Sequence, residues 1–210
     1  SYLYSKIRTT KELTSNTKFI IINTDCSLLN ERFLQVTKAF KLSYKEFRDY
    51  LIIDYINSFY AQDEMIKIKV KEVLEKNEVK PAYIAIDPFN HLLRQEFAKA
   101  KEEYRLNVVG RLSPRLEYQL NLLTLLARKT GCTVVLTLLP KKMFTNTVPA
   151  KWQNAFFGPT EIAHLSDIVL WFSHNVQNEK GITVHVLKHR LRETPYQINC
   201  RLIEGGLMLI

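Results

Sequence analysis

Two carboxylates stand where apolar runs give way to polar residues. Asp25 closes "KFIIINTD" and Asp87 closes "KPAYIAID". A third apolar run, "CTVVLTLLP", passes directly into Lys141 and Lys142. Acids and a basic loop gathered at one sheet edge suit a magnesium ion and a phosphate, because open parallel sheets bind ligands at the carboxyl ends of their strands. The competing reading is that acids end strands because they solvate the chain as it leaves the core. On these residues alone both readings stay open.

Two further groups could do chemistry. In "LKHRLR", Lys188 and Arg190 alternate, so on a strand both point to one face and can act on one anion. The alternative is an exposed basic edge strand that deters aggregation. His189 faces the other way and reads as structural. The segment "PKKMFTNTVPAKWQNAFFG" mixes Lys141, Lys142 and Lys151 with Phe144, Trp152, Phe156 and Phe157. Cations neutralise phosphates and aromatic rings stack on unpaired bases. The same rings could instead pack on the sheet or on a partner subunit.

The elements that must position these residues can be read from the pattern of apolar positions. "KFIIINTD", "DYLIIDYI", "AYIAID" and "CTVVLTLLP" read as buried strands. "SLLNERFLQVTKAF" reads as a helix, with Leu29, Phe33, Val36 and Phe40 on one face. "DEMIKIKVKEVLEKN" is helical by its length and Glu/Lys content, although the alternation in "MIKIKVK" fits a strand equally well. "SPRLEYQLNLLTLLARKTG" predicts a helix capped by Ser113, with Pro114 in its first turn and Gly131 closing it. "DIVLWFSH", "ITVHVLKHR" and "QINCRLIEGGLMLI" supply closing strands, with hairpin turns expected at "NEKG" and "RETP". The expected class is α/β: a mainly parallel sheet flanked by helices, with antiparallel C-terminal strands extending it at one side.

The bulk properties bound the reading. The chain has 210 residues, 46% hydrophobic and 24% charged, which suits one domain with a substantial core. No apolar run approaches the ~18–20 residues that span a bilayer, and no signal-peptide core is present. Cys26, Cys132 and Cys200 show no C-x-x-C spacing, so the expectation is a reduced, intracellular protein, cytoplasmic or nuclear, with no membrane partner. The net charge of +9 suits an anionic partner, nucleic acid first. A generally basic soluble surface is the plainer account.

Taken in order, the segments resemble the ATPase core of the RecA/RadA recombinase superfamily, and RadB-like paralogues in particular. "IINTDCSLLNERFLQ" resembles the family's "IDTEGxFxPERL" stretch, and "YIAIDPFNHLLRQEF" its Walker B strand with "hhhDSxxxLFRxEF". "LSPRLEYQLNLLTLLARKTGCTVVLT" resembles the long helix and the strand after it. "FGPTEIAHLSDIVLWF" resembles "GGxxxAHxSxxxLxL", and "VHVLKHRLRETP…CRLIEGGL" resembles "KHRxRP…FxIxExGI". The resemblance runs over nearly the whole chain. It implies a RecA-like P-loop NTPase core spanning residues 1–210 as a single domain.

The resemblance also assigns roles. Asp87 falls on the Walker B aspartate, which holds magnesium through water. Asp25 falls on the catalytic Glu that orients the attacking water. Ser1 falls where the hydroxyl residue ending the P-loop would stand. Lys188 and Arg190 match a K-x-R pair that reaches a neighbouring subunit's nucleotide, and His164 matches the "AH" position. There it either links a loop to the sheet or serves as a satisfied core histidine. "AKAKEEYRLNVVGR", with Lys99, Lys101, Arg105 and Arg111, occupies the place of the first DNA loop. Pro140–Gly158, with Lys141, Lys142, Lys151 and Trp152, occupies the place of the second.

Four departures weaken the catalytic expectation. No GK pair, and so no G-x-x-x-x-G-K-[ST], occurs in the chain. The chain therefore reads as a core without its first strand and P-loop, which puts ATP and magnesium in question. Asp25 is one methylene shorter than Glu, roughly 1.5 Å, and rates are sensitive to such shifts. Leu139 stands where relatives carry a Gln that senses the γ-phosphate, and leucine offers phosphate no hydrogen bond. Pro88 replaces the Ser that usually follows Walker B.

The resemblance implies a recombinase paralogue in homologous recombination or DNA repair, with weak or no ATP hydrolysis. Its expected partners are single-stranded DNA and a RecA-family recombinase or another copy of itself. Two alternatives are an active DNA-dependent ATPase whose P-loop lies upstream of Ser1, and a non-catalytic adaptor that binds a recombinase.

Overall fold

A computed structural model describes residues 17–27, 30–39, 43, 45, 48–76, 80–141, 148, 151–174, 181–204 and 206–210. The chain is an α/β protein that divides into two compact units. One comprises Ser1–Leu139 with Phe157–Pro159, the other Pro140–Phe156 with Thr160–Ile210.

The first unit holds β1 (Thr17–Asn23), α1 (Asn30–Ala39), β2 (Leu51–Tyr55), α2 (Phe59–Lys71), β3 (Lys80–Asp87), α3 (His91–Lys99), α4 (Arg105–Thr130) and β4 (Thr133–Leu136). The four strands are parallel, in the order β2-β1-β3-β4. Ile20, Ile22, Ile84 and Ile86 are all buried and lie on one face of β1 and β3. α2, α3 and α4 pack on one another. The apolar positions expected on one face of α1, Leu29, Phe33, Val36 and Phe40, fall outside the described residues or side chains.

Helix wins over strand in "MIKIKVK" because a 3.6-residue stripe runs through it. Phe59, Gln62, Asp63, Ile66 and Val70 are buried at helical spacing, and Ser58 Oγ caps the first turn by accepting from Ala61 N–H at 3.2 Å. A π-helical turn, Glu72–Lys76, continues α2.

α4 departs from expectation at its start. It begins at Arg105, so Ser113 is no cap and Pro114 lies inside the helix. Proline removes one N–H from the ladder. The helix runs through regardless because Leu112 and Leu116, on either side of Pro114, are both fully buried. Its end is as expected: Gly131 takes φ 71° and its N–H reaches Ala127 O at 2.8 Å. Residues 98–111, expected as a loop, are therefore largely helical. They comprise the end of α3, a 3-10 turn at Glu102–Tyr104 and the start of α4.

The second unit contains the short helix α5 (Glu161–Leu165) and four antiparallel strands: β5 (Ile168–His174), β6 (Gly181–His189), β7 (Tyr196–Ile203) and β8 (Gly206–Leu209). The antiparallel strands form as expected, but as a sheet of their own, ordered β5-β6-β7-β8. No ladder among the described residues extends the parallel sheet with them. β4 offers only four ladder residues, Thr133–Leu136. The turn expected at "RETP" joins β6 to β7. The one expected at "NEKG" lies almost wholly outside the described residues.

Candidate functional site

β1 and β3 are neighbours whose chains leave in opposite directions. β1 leads to β2 on one side and β3 to β4 on the other, so the strand order reverses between them. Such a reversal opens a crevice at the carboxyl ends, the place where sheets of this kind take ligands. Asp87 is the last residue of β3 and Asp25 lies two residues past β1. Both candidate carboxylates thus stand at this crevice.

Register supplies the rest of the site. Tyr55, Asn23 and Asp87 are ladder partners across β2, β1 and β3. Thr137 follows Leu136, the last partner of β3, and its hydroxyl donates to Asp87 Oδ1. Four side chains therefore form a row along one face of the sheet edge: Tyr55, Asn23, Asp87 and Thr137. Thr24 ties the two central tips together. Its N–H donates to Asp87 O at 2.9 Å and its hydroxyl to Pro88 O at 2.6 Å.

Asn23 is fully buried. Its Nδ2 reaches Asp25 Oδ1 at 3.4 Å, while its Oδ1 is a buried acceptor with no donor among the described residues. Buried acceptors are rarely left so, and a ligand or ordered water is the usual answer. Tyr83, four residues before Asp87 on the same strand face, has its hydroxyl pushed upward in pKa, by burial first and by the Asp87 charge second.

Asp25 is held by a strained turn. Cys26 sits at φ 57°, in the left-handed region that disfavours any residue but glycine. This lets Ser27 N–H fold back to donate to Asp25 Oδ1 at 2.9 Å. Partial burial pushes the Asp25 carboxyl up, but the Ser27 hydroxyl and N–H and the nearby His91 together outweigh it, so its pKa falls below the ordinary 3.8. The sign follows: whatever Asp25 contributes to folding is present above pH 3.8 and is lost as pH falls through its lower folded value. Carbon-detected NMR titration should place the Asp25 carboxyl below 3.8, and Ser27→Ala should move it upward. An unchanged value in Ser27→Ala would remove the Ser27 hydroxyl as a cause. Cys26→Gly should be stabilising or neutral, since relief of about 1–2 kcal/mol of left-handed strain outweighs glycine's entropic cost of about 0.5–1 kcal/mol. Thermal melting checks it.

Lys188 and Arg190 do converge, on the last turn of α5 and the residues just after it. Lys188 Nζ donates to Ala163 O at 3.2 Å and His164 O at 2.7 Å, capping the last carbonyls of the helix, and Arg190 Nη1 meets Asp167 Oδ1 at 3.5 Å. The edge-strand alternative is corrected, because β6 lies inside its sheet with partners on both sides. His164 is exposed, which overturns the core-histidine alternative. His189 Nδ1 accepts from Leu191 N–H at 3.1 Å, a local turn contact.

Lys99, Lys101 and Arg111 are exposed, with Lys99 paired to Glu96 at 2.9 Å. Arg105 is half-buried and lies over the Phe97 ring at 5.4 Å. Lys141 and Lys151 are exposed, and Trp152 is half-buried on a 3-10 turn. Phe156 is buried and bridges to Pro140, while Phe157 packs edge-on against Phe97 at 5.2 Å. Those two rings are engaged within the chain. Ser1, Lys142 and Phe144 lie outside the described residues.

Among the described residues, no three His, Cys, Asp or Glu side chains gather closely enough to hold a metal ion by themselves. No helix among them is long and apolar enough to cross a membrane. Neither Asn23 nor Asn90 stood out in the sequence, since nothing in "INTD" or "DPFN" announces burial. Asn90 is fully buried and clasps the end of β4. Its Oδ1 accepts from Leu139 N–H at 2.8 Å, and its Nδ2 donates to Leu139 O at 2.9 Å and Phe157 O at 2.7 Å. No family model and no curated protein matches the chain.

Proposed function

We propose that the chain is a RecA-like recombinase paralogue of DNA recombination or repair. In this reading it binds a magnesium–nucleotide at the β1/β3 crevice with weak or no turnover, and binds single-stranded DNA through its basic segments. The observation that supports the nucleotide part is the polar row at the reversal of strand order. Asp87 has Oδ1 engaged by Thr137 and Oδ2 without a partner among the described residues. Asn23 Oδ1 lacks a donor in the same row. The water shell of a magnesium ion supplies donors to both, so these residues fit the ion the resemblance implies. Bound there, the ion would neutralise phosphate charge. Asp25, too short for the role of Glu, and Leu139, without a polar group, account for poor turnover.

A fluorescent ATP analogue titrated with and without magnesium tests this. The expected result is magnesium-dependent binding that Asp87→Asn weakens at least tenfold and Asp25→Asn leaves nearly unchanged. Binding indifferent to magnesium and to Asp87 would overturn the assignment, and brisk DNA-stimulated turnover would favour the active ATPase instead. For DNA, changing Lys141, Lys142 and Lys151 together to alanine should weaken single-strand binding and flatten its salt dependence, by about 0.7 in log–log slope per lost phosphate contact. Unchanged affinity at low salt would remove this loop from the interface.

The partner arm rests on β5. Ile168, Leu170 and Phe172 are each about half exposed on a strand that, among the described residues, ends its sheet and holds no Asp, Glu, Lys or Arg. Uncharged, exposed edges invite another protein strand. A recombinase or a second copy is the proposed occupant, and Phe172→Lys should abolish any self-association through this edge seen by sedimentation.

A further inference from the structure

β8 ends the antiparallel sheet on the side away from β5, and its sequence breaks the usual pattern. A strand with one buried face alternates apolar and polar residues. Leu207, Met208, Leu209 and Ile210 do not alternate, so both faces are apolar. Neither face is covered: with Leu202 and Ile203 of β7, these side chains are between 42% and 73% exposed. A run of bare apolar side chains of this size marks a docking surface. The backbone shows what shape of partner fits it. Ile210 N–H donates to Asn199 O at 3.1 Å, so those two residues form a hydrogen-bonded pair. Antiparallel ladders alternate. Arg201 and Met208 are therefore the next bonded pair, while Cys200–Leu209 and Leu202–Leu207 exchange no bonds. The N–H and C=O of Leu207 and Leu209 point away from β7, and no ladder among the described residues takes them.

That pattern is its own complement. A two-fold axis normal to the sheet sets two copies of β8 antiparallel. Centred on Met208, it places Leu207 opposite Leu209 of the second copy, and each free N–H then meets a free C=O. On one face the leucines of both copies pack together beside Leu202. On the other, Ile210 falls opposite Gly206 of the second copy, where no side chain stands and the space is open. Charge does not oppose the pairing. β8 carries none. Arg201, the ladder partner of Met208, stays about 15 Å from its own copy, three strand spacings away, and salt screens charges beyond ~8 Å. A foreign strand would have to match this spacing by chance, whereas a second copy matches it by identity. We infer that β8 is a self-association edge, where two copies of this chain join as a two-fold dimer and their antiparallel sheets run on as one. Closed two-fold contacts are the commonest way a chain meets itself. The side chains named here fall well short of the roughly 20–30 residues a side of a standard interface, so the dimer is weak and depends on concentration. It is independent of the β5 edge.

Disulfide trapping reads this register directly. Opposed residues that exchange no bonds stand about 4.5 Å apart at Cα, inside the span of a disulfide. Met208 and its copy form such a pair. Leu207 and its copy are two residues out of line, roughly 9 Å apart, too far to bridge. Cys132 and Cys200 are buried and Cys26 is exposed, so the full chain carries Cys26→Ser with either Met208→Cys or Leu207→Cys. Each is oxidised with copper–phenanthroline at high protein concentration. Met208→Cys should form a dimer on a non-reducing gel about tenfold faster, or more, than Leu207→Cys. In sedimentation equilibrium the parent chain should gain weight-average mass with concentration. Leu209→Lys should hold it monomeric without lowering the melting temperature, since that side chain is 72% exposed. Phe172→Lys should leave this dimer intact. Equal cross-linking at the two positions, or none at Met208, would overturn the pairing. So would an association that Phe172→Lys abolishes and Leu209→Lys spares, which would assign the contact to β5.

Discussion

Asn90→Ala should lower stability by about 3–5 kcal/mol. Its amide makes three part-buried hydrogen bonds, two to Leu139 and one to Phe157. Each is worth about 1 kcal/mol net, and leaving Leu139 N–H without a partner adds roughly 1–2 kcal/mol more, while Leu139 O keeps the Phe157 N–H at 3.2 Å. Urea denaturation should show the midpoint fall with little change of slope. Asn90→Asp separates the hydrogen bonds from mere side-chain volume. The carboxylate keeps an acceptor for Leu139 N–H but turns its other oxygen on two carbonyl oxygens. It should therefore be at least as damaging as alanine near neutral pH, and recover in part on acidification as the protonated acid regains a donor. A tolerated Asn90→Ala would mean that water readily replaces the amide.

Phe89→Ala should cost about 3–5 kcal/mol by a different route, loss of buried apolar surface and creation of a cavity. The Phe89 side chain has no exposure. Its backbone is pinned at both ends: the N–H donates to Thr137 O at 2.9 Å and the carbonyl accepts Gln62 Nε2 at 3.1 Å. The backbone bonds hold the turn in place, so the emptied space cannot collapse and the cost stays near the upper end. Leu106→Ala is the control. That leucine is 82% exposed on α4, and its loss should change stability by no more than about 0.5 kcal/mol. Equal losses at both positions would mean that burial in this region carries little of the folding energy.

The strands were legible because an apolar, β-branched run such as "FIII" or "YIAI" has few ways to bury itself. Strand and helix type followed from local period except in "MIKIKVK", where alternation fits a strand equally well and only the buried stripe of α2 decides for helix. The start of α4 was not legible, because Ser113-Pro114 imitates a helix entry and only the burial of Leu112 and Leu116 shows that the helix passes through. The separation of the two sheets was not legible either, since sequence order does not reveal which strands fail to pair. At the site, Asp25 and Asp87 could be picked out as strand-ending acids. Asn23 and Thr137 could not, because their place beside Asp87 depends on register across three strands. Lys188 and Arg190 were readable as a pair, but not their targets, which are backbone carbonyls of a five-residue helix and the side chain of Asp167.

The buried cluster behind the site follows the same rule. Gln62 donates to Gln119 Oε1 at 2.8 Å, and Gln119 donates to Asp63 Oδ1 at 3.2 Å, with Arg115 3.4 Å from the other oxygen of Asp63. Polar residues on the inner stripe of α2 and α4 look like errors of pattern until both helices are placed together. Paired, they fix the register of one helix on the other, because a shift of one turn would part the buried Gln119 from both Gln62 and Asp63.

The sequence of β5, Ile-Val-Leu-Trp-Phe-Ser-His, also sets how the protein behaves at high concentration. It is a short, proline-free window of strong strand formers without Asp, Glu, Lys or Arg, on a strand that ends its sheet among the described residues, the kind of segment that seeds cross-β stacking. Asp167 stands immediately before it, half of an exposed ion pair with Arg190. That aspartate is a gatekeeper: like-charge repulsion between stacked copies opposes in-register growth. Removing one carboxylate there should shorten the lag before turbidity appears on storage, with little change in the melting temperature.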